Sequence, residues 1–162
     1  MPARLVPVIV GIGTALLGAA FSWVPSFWWD EAATVSAANR PTGELVDVLA
    51  EWDAVHGLYY LVMHKWFGLV GISEFTARLP GALMLGVGAA AVAAVAQTLA
   101  GTRTAIAAGV VFAVLPRVTW AATEARSYPF VIAGVAVLSW LLVVALRVRT
   151  TPQRILWWSL YA

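Results

Sequence analysis

Most of this chain is too apolar to do chemistry, so its few ionisable residues stand out in three groups. The first is Trp28-Trp29-Asp30-Glu31. A carboxylate at Asp30 could act as general base on an acceptor hydroxyl. The simpler reading is that Asp30 caps the helix that follows it. Glu31 either assists Asp30 or faces water, and the water-facing role is the plainer one. The second group pairs a carboxylate with an imidazole, Asp53 and His56, in Glu51-Trp52-Asp53-Ala54-Val55-His56-Gly57. Such a pair could hold a divalent metal or a phosphate-bound ion, although Asp-x-x-His alone is a weak signal. The third group is Glu124 and Arg126, in Thr123-Glu124-Ala125-Arg126-Ser127-Tyr128. The planar fork of an Arg matches phosphate oxygens, but a Glu124–Arg126 ion pair that only orients a turn explains the spacing equally. Lys65 and Arg78 are further phosphate candidates. For both, snorkelling of a long side chain to a membrane interface is the simpler account. His64 reads as structural.

The elements that position these residues follow from composition. Hydrophobic residues make up 62% of the chain, charged residues 11%, and the mean hydropathy is +0.85. Soluble domains carry about 25% charged residues, so the sequence implies an all-α, polytopic membrane protein. There is no cysteine, hence no disulfide or thiolate chemistry. No phosphate-cradling Gly-rich loop, nucleophile elbow, His-Glu-x-x-His or nucleic-acid signature occurs. Crossing a bilayer takes about 20 apolar residues. Residues 5–24, 79–100, 104–120 and 128–146 meet that need, giving about four full spans, and a fifth begins at Ile155. Residues 5–24 are too long for a signal-peptide core and end in bulky aromatics, so they read as a retained helix.

Residues 57–70 are apolar, but as a helix they reach only about 21 Å. Charge placement argues that they do not span. With the N-terminus cytoplasmic, Arg4, Arg103, Arg147, Arg149 and Arg154 fall inside, and all eight carboxylates fall outside. This is the positive-inside pattern. Residues 25–78 then form one outer loop with three juxtamembrane helices. The first follows Asp30. The second opens at Pro41, with Leu45, Val48, Leu49 and Trp52 on one face, as in a helix lying flat on a membrane. The third covers residues 58–70, interfacial or re-entrant. Trp23, Trp28, Trp29, Trp52, Trp66 and Trp120 map to the outer interface as an aromatic belt. Gly81, Gly86 and Gly88 permit close helix packing.

The three groups, in this order, resemble the GT-C membrane glycosyltransferases, in the branch that includes protein O-mannosyltransferases and aminoarabinose lipid A transferases. Trp28-Trp29-Asp30-Glu31-Ala32 resembles that family's Asp-Glu motif after the first span. Asp53-Ala54-Val55-His56-Gly57-Leu58-Tyr59-Tyr60 is similar to its Asp-x-x-His-Pro-Pro-Leu-Tyr-Tyr, with Gly57 replacing a proline. The stretch from Ser73 through Arg78-Leu79-Pro80 to Ala82 matches Ser-x-x-x-x-Arg-Leu-Pro-Ser-Ala. Glu124-Ala125-Arg126-Ser127-Tyr128 matches Glu-Ala-Arg-x-Tyr. The resemblance runs over residues 1–162 and implies the N-terminal portion of a GT-C-like domain, inactive by itself. It implies inverting transfer of a sugar from a polyprenyl-phosphate donor to a protein, glycan or lipid acceptor on the outer face of the plasma (inner) membrane. Asp30 would be the base and Glu31 its companion. Asp53 and His56 would border the donor phosphate and any divalent metal, the one cofactor expected. Arg126 would contact phosphate, with Lys65, Arg78 and Glu124 as further binding residues. Membrane lipids are expected partners and nucleic acid is not. A non-catalytic assembly or scaffold module is the alternative. A transporter half is disfavoured because the spans carry almost no charge.

Overall fold

The computed structural model describes residues 3–51, 53–148 and 150–162. Trp52 and Arg149, and with them one position of the amphipathic face and one of the inside arginines, lie outside the described residues. Helices make up 83% of the described residues, with no strand among them, as an all-α fold requires. In chain order they are α1 (Val6–Ala19), α2 (Trp29–Ala38), α3 (Thr42–Glu51), α4 (Gly57–Val70), α5 (Glu74–Ala100), α6 (Thr102–Val114), α7 (Pro116–Ala122), α8 (Tyr128–Arg147) and α9 (Thr151–Tyr161).

The four expected spans reduce to two or three. Among the described residues, only α5 and α8 are by themselves long and apolar enough to cross a bilayer. A third span exists if α6 and α7 count as one, and these are bent by 61°. The bend has a local cause. Pro116 has no N–H to continue the ladder, and it pushes the preceding residue out of the helical region. Leu115 accordingly sits at φ −61°, ψ 129°. The first expected span falls short for a different reason. α1 ends at Ala19, Ala20 is extended, and Phe21 adopts φ +60°, a left-handed conformation unusual for a bulky residue. Beyond this turn the carbonyls of Ser22, Pro25 and Ser26 accept from Arg78 of α5.

α5 is the central column, packed against α1, α6 and α8. Its small residues allow backbone contact: a Cβ built on Gly86 would lie 2.7 Å from the Gly11 carbonyl oxygen. This is close helix packing of the expected kind. α5 also starts earlier than the apolar pattern suggested. Ser73 caps it by accepting from the Thr76 N–H at 3.1 Å, which draws Arg78 inside the helix. Pro80 cannot donate to the Thr76 carbonyl four residues back. The Trp66 indole N–H takes that carbonyl instead, at 2.7 Å. Trp66 therefore ties α4 to α5.

α2, α3 and α4 pack over one end of this column. Leu45, Tyr60, Met63, Phe67 and Ala77 share a buried cluster with Val35, Leu49 and Phe130 against it. On the apolar face of α3, Leu45 is fully buried and Leu49 packs against the same cluster, so part of that face is covered by protein. α4 is two-faced. Tyr59, Tyr60, Met63 and Phe67 point inward, whereas Leu58, Leu61, Val62 and Leu69 are exposed. His64 joins the layer by bonding the Ala38 carbonyl through Nδ1 (2.9 Å) and Thr42 Oγ1 through Nε2 (3.2 Å). This is the structural role its position suggested.

Candidate functional site

The first and third sequence groups converge where α2 meets the turn between α7 and α8. Glu31 is the joint. It is fully buried, so the expectation that it faces water is corrected. Its Oε1 accepts from Arg78 Nε (2.7 Å) and from the Ala125 backbone N–H (2.9 Å). Its Oε2 accepts from Arg78 Nη2 (2.6 Å) and from the Trp28 N–H (3.4 Å). One side chain thus binds the start of α2, the shaft of α5 and the Glu-Ala-Arg turn. Trp28, not Asp30, occupies the N-cap position of α2, which places Asp30 and Glu31 in its first turn.

Arg78 does not snorkel. It is 2% exposed. Beyond its two bonds to Glu31, Nη1 donates to the carbonyls of Ser22 (2.5 Å) and Pro25 (2.7 Å), and Nη2 donates to Ser26 (3.3 Å). A guanidinium has five N–H donors, and all five are committed. Arg78 has nothing left for a phosphate. The unwound end of the first expected span supplies these acceptors.

Asp30 is the carboxylate left available. Its side chain is 40% exposed and lies 3.8 Å from Arg126 Nη2. Arg126 Nη1 donates to the Asp30 carbonyl at 3.3 Å, and its Nε is buried with no partner among the described residues. Glu124 pairs with no Arg. It is 5% exposed, and its Oε2 has no hydrogen-bond partner among the described residues. Burial, with the neighbouring Glu31 charge, pushes its carboxyl up to about 7, only partly offset by Arg126. Glu124, Glu31 and Arg78 line a cavity of about 330 Å³ together with Trp28, Trp120 and Thr123.

The second group forms a shelf beside this centre. Asp53 Oδ1 meets His56 Nδ1 at 2.7 Å, and Asp53 Oδ2 accepts from the Tyr60 hydroxyl at 2.9 Å. The His56 and Tyr60 rings stack at 5.7 Å. Partial burial opposes the charge on Asp53, but the bonds from His56 and Tyr60 prevail and hold its carboxyl below the usual range. Tyr60 also feels the charges of Arg126 and Asp30, which marks the shelf and the centre as neighbours. Among the described residues no group of three or more His, Cys, Asp or Glu could hold a metal ion. Asp53 and His56 supply two ligands and spend one atom of each on the other. The pair forms a hydrogen-bonded dyad. Lys65 sits on the exposed face of α4, apart from this assembly.

One residue at the centre escaped the sequence reading. Arg117 was counted within an apolar span. The break at Pro116 releases it, and its guanidinium lies over the Trp120 ring at 4.3 Å and the Tyr128 ring at 5.4 Å. Leu115-Pro116-Arg117 was the signal: a proline before a charge inside an apolar run. None of the protein-family models, curated proteins or solved structures compared with the chain matches it.

Proposed function

We propose that this chain carries the acceptor-activating part of a GT-C-type membrane glycosyltransferase. The observation that carries the reading is the split between adjacent carboxylates. Glu31 has every lone pair engaged, while Asp30 is half-exposed beside Arg126, whose Nε lacks an acceptor. Asp30 is the general base. It takes the proton of an acceptor hydroxyl as that oxygen attacks the anomeric carbon. The bond from the anomeric carbon to the donor phosphate oxygen breaks in the same step, and the configuration inverts. The phosphate leaves with the bonding electrons, and the charge it gains is met by Arg126. Tyr60 and the Asp53–His56 dyad wall the approach. The donor is a polyprenyl-phosphate sugar, and the acceptor a protein, glycan or lipid. The distribution of Arg and carboxylates along the chain supports a cytoplasmic N-terminus and a site on the outer face of the inner membrane.

The test is made in cells expressing the gene that encodes this chain. Asp30→Asn and Asp30→Ala should each reduce sugar transfer by about 10²–10⁴-fold, the usual worth of a general base. Arg126→Ala should also depress transfer. If the native acceptor is still glycosylated in both Asp30 variants, the base assignment fails and the scaffold reading takes its place.

A further inference from the structure

The end of the bundle away from Asp30 carries charge of one sign. Val6 of α1, Ala93 of α5 and Ala105 of α6 share a buried cluster there. That contact brings Arg4, two residues before Val6, and Arg103, two before Ala105, to the same end. Arg147 closes α8 beside them, its Nη1 donating to the Thr98 carbonyl in the last turn of α5. α9 folds back along α8 through the Trp140–Trp157 contact, which keeps Arg154 of its first turn at this end too. All four arginines are exposed, and none forms an ion pair among the described residues. The eight carboxylates lie elsewhere, in the layer of α2–α4, at the start of α5 and in the turn before α8. Like charges gathered on one rim repel one another, and an outside anion relieves that cost.

An apolar groove of about 630 Å³ opens beside this rim. It begins at Leu99, next to the Thr98 that Arg147 holds, and continues toward Phe112. α5 is its floor, and α6 and α8 are its walls. Its volume is within the range of small-molecule sites, about 300–1,000 Å³. Its α8 lining, Val131 to Ser139, rises about 12 Å, so the space is elongated. Among the described residues that line it Ser139 alone is polar, and its hydroxyl hydrogen goes to the Val135 carbonyl at 2.8 Å. α9 does not cover it, because Trp140, which α9 meets, lines a separate groove between α1 and α8. Helices in a bilayer come together over glycines or polar side chains, as α1 and α5 do at Gly11 and Gly86. No glycine lines this groove. Branched side chains such as Val95, Leu99 and Val135 suit a flexible hydrocarbon chain instead. A dry groove that opens at a cationic rim calls for a ligand with an anionic head and an apolar tail.

We propose that an anionic bilayer phospholipid docks here, one acyl chain in the groove between α6 and α8 and its phosphate at Arg147 among the rim arginines. The site lies at the opposite end of α5 from Asp30, and the inference does not depend on glycosyl transfer.

The native chain is purified in a non-ionic detergent and offered phosphatidylglycerol or phosphatidylcholine with the same acyl chains. Retained lipid is counted by native mass spectrometry, and thermal midpoints are read for every variant. Phosphatidylglycerol should be retained at least about fivefold better, the worth of one arginine near an anionic headgroup. Arg147→Ala should remove that advantage, and Arg147→Lys, which keeps the charge, should preserve it. Arg103→Gln, at an exposed helix start, should weaken phosphatidylglycerol binding in the same direction without disturbing the fold. Val135→Trp, which fills the groove from an exposed position, should lower retention of both lipids. Arg40→Ala, at the other end of the molecule, should change neither. Equal retention of the two lipids overturns the proposal. So does undiminished phosphatidylglycerol binding in Arg147→Ala or in Val135→Trp. Displacement of the lipid by inorganic phosphate would assign the rim to a free anion, and a dimer that Val135→Trp dissociates would assign the groove to a second copy of the chain. Either result overturns the proposal as well.

Discussion

Asp53 and Glu124 lie in neighbouring parts of one assembly, yet their carboxyls shift in opposite directions. Asp53 is 34% exposed and receives hydrogen bonds on both oxygens, from His56 and from Tyr60. Its carboxyl is held below 3.8 although burial works the other way. Glu124 is almost completely buried, has an oxygen with no donor, and sits near the Glu31 charge. Its carboxyl rises to about 7. Depth accounts for part of the contrast, and the supply of donors for the rest. Glu31 makes the same point, since it is deeper than either and is fully provided with donors from Arg78, Ala125 and Trp28. In this molecule the available donors, more than depth, separate a structural carboxylate from one free to meet a ligand.

The largest effect is expected from breaking the buried pair beneath Glu124. Arg78→Ala leaves Glu31 charged and alone, which should cost about 3–5 kcal/mol. Arg78→Lys should not rescue it, because an ammonium offers three donors in place of the five used here. Thermal unfolding in detergent reads both; a midpoint unchanged in Arg78→Ala would mean that the knot is not holding the loop to the column.

A pH series sharpens the contrast by sign. Glu124 has a raised folded-state value, so its contribution to stability is full below about 4.5 and is lost as pH rises through about 7. Asp53 has a lowered value, so its contribution is present above 3.8 and is lost as pH falls through its folded value. Glu124→Gln should flatten the neutral-range slope of the unfolding midpoint, and Asp53→Asn only the acid-range slope. The same slopes in both variants would remove the distinction.

Smaller changes follow on the shelf. Asp53→Asn should cost about 1 kcal/mol, since a partly exposed charged acceptor is worth less than a buried one. The smallest effect is expected from Arg40→Ala. It removes an exposed 3.9 Å contact with Glu44, of the kind worth about 0–1 kcal/mol. A loss there as large as at Asp53 would show that the shelf has no special standing.

Much of this arrangement was legible from residue types. The helical class, the end of α4 at Val70, the close packing at Gly86 and the structural part played by His64 all follow from pattern. The expectation that Asp30, Asp53, His56, Glu124 and Arg126 share one face came from the charge-based topology and from the family resemblance. The first expected span is shorter than its apolar run and the third is bent, because hydropathy averages over backbone breaks. Phe21 and Pro116 each end a helix inside a run that remains apolar. Pro116 was readable as a breaker, whereas the left-handed Phe21 carries no local signature. Periodicity identified an apolar face on α3 but not that Leu45 of it would be fully buried against protein.

The sequence by itself determined that the chain is helical and apolar enough for a membrane, and that its carboxylates gather in the loops around Asp30. It could not assign Glu31 and Asp30 to different work, since the two are adjacent and chemically alike. Only the tertiary structure did so. Successive residues of a helix point about 100° apart, so Glu31 faces α5 and meets Arg78, 47 positions away, while Asp30 stays half in solvent beside Arg126.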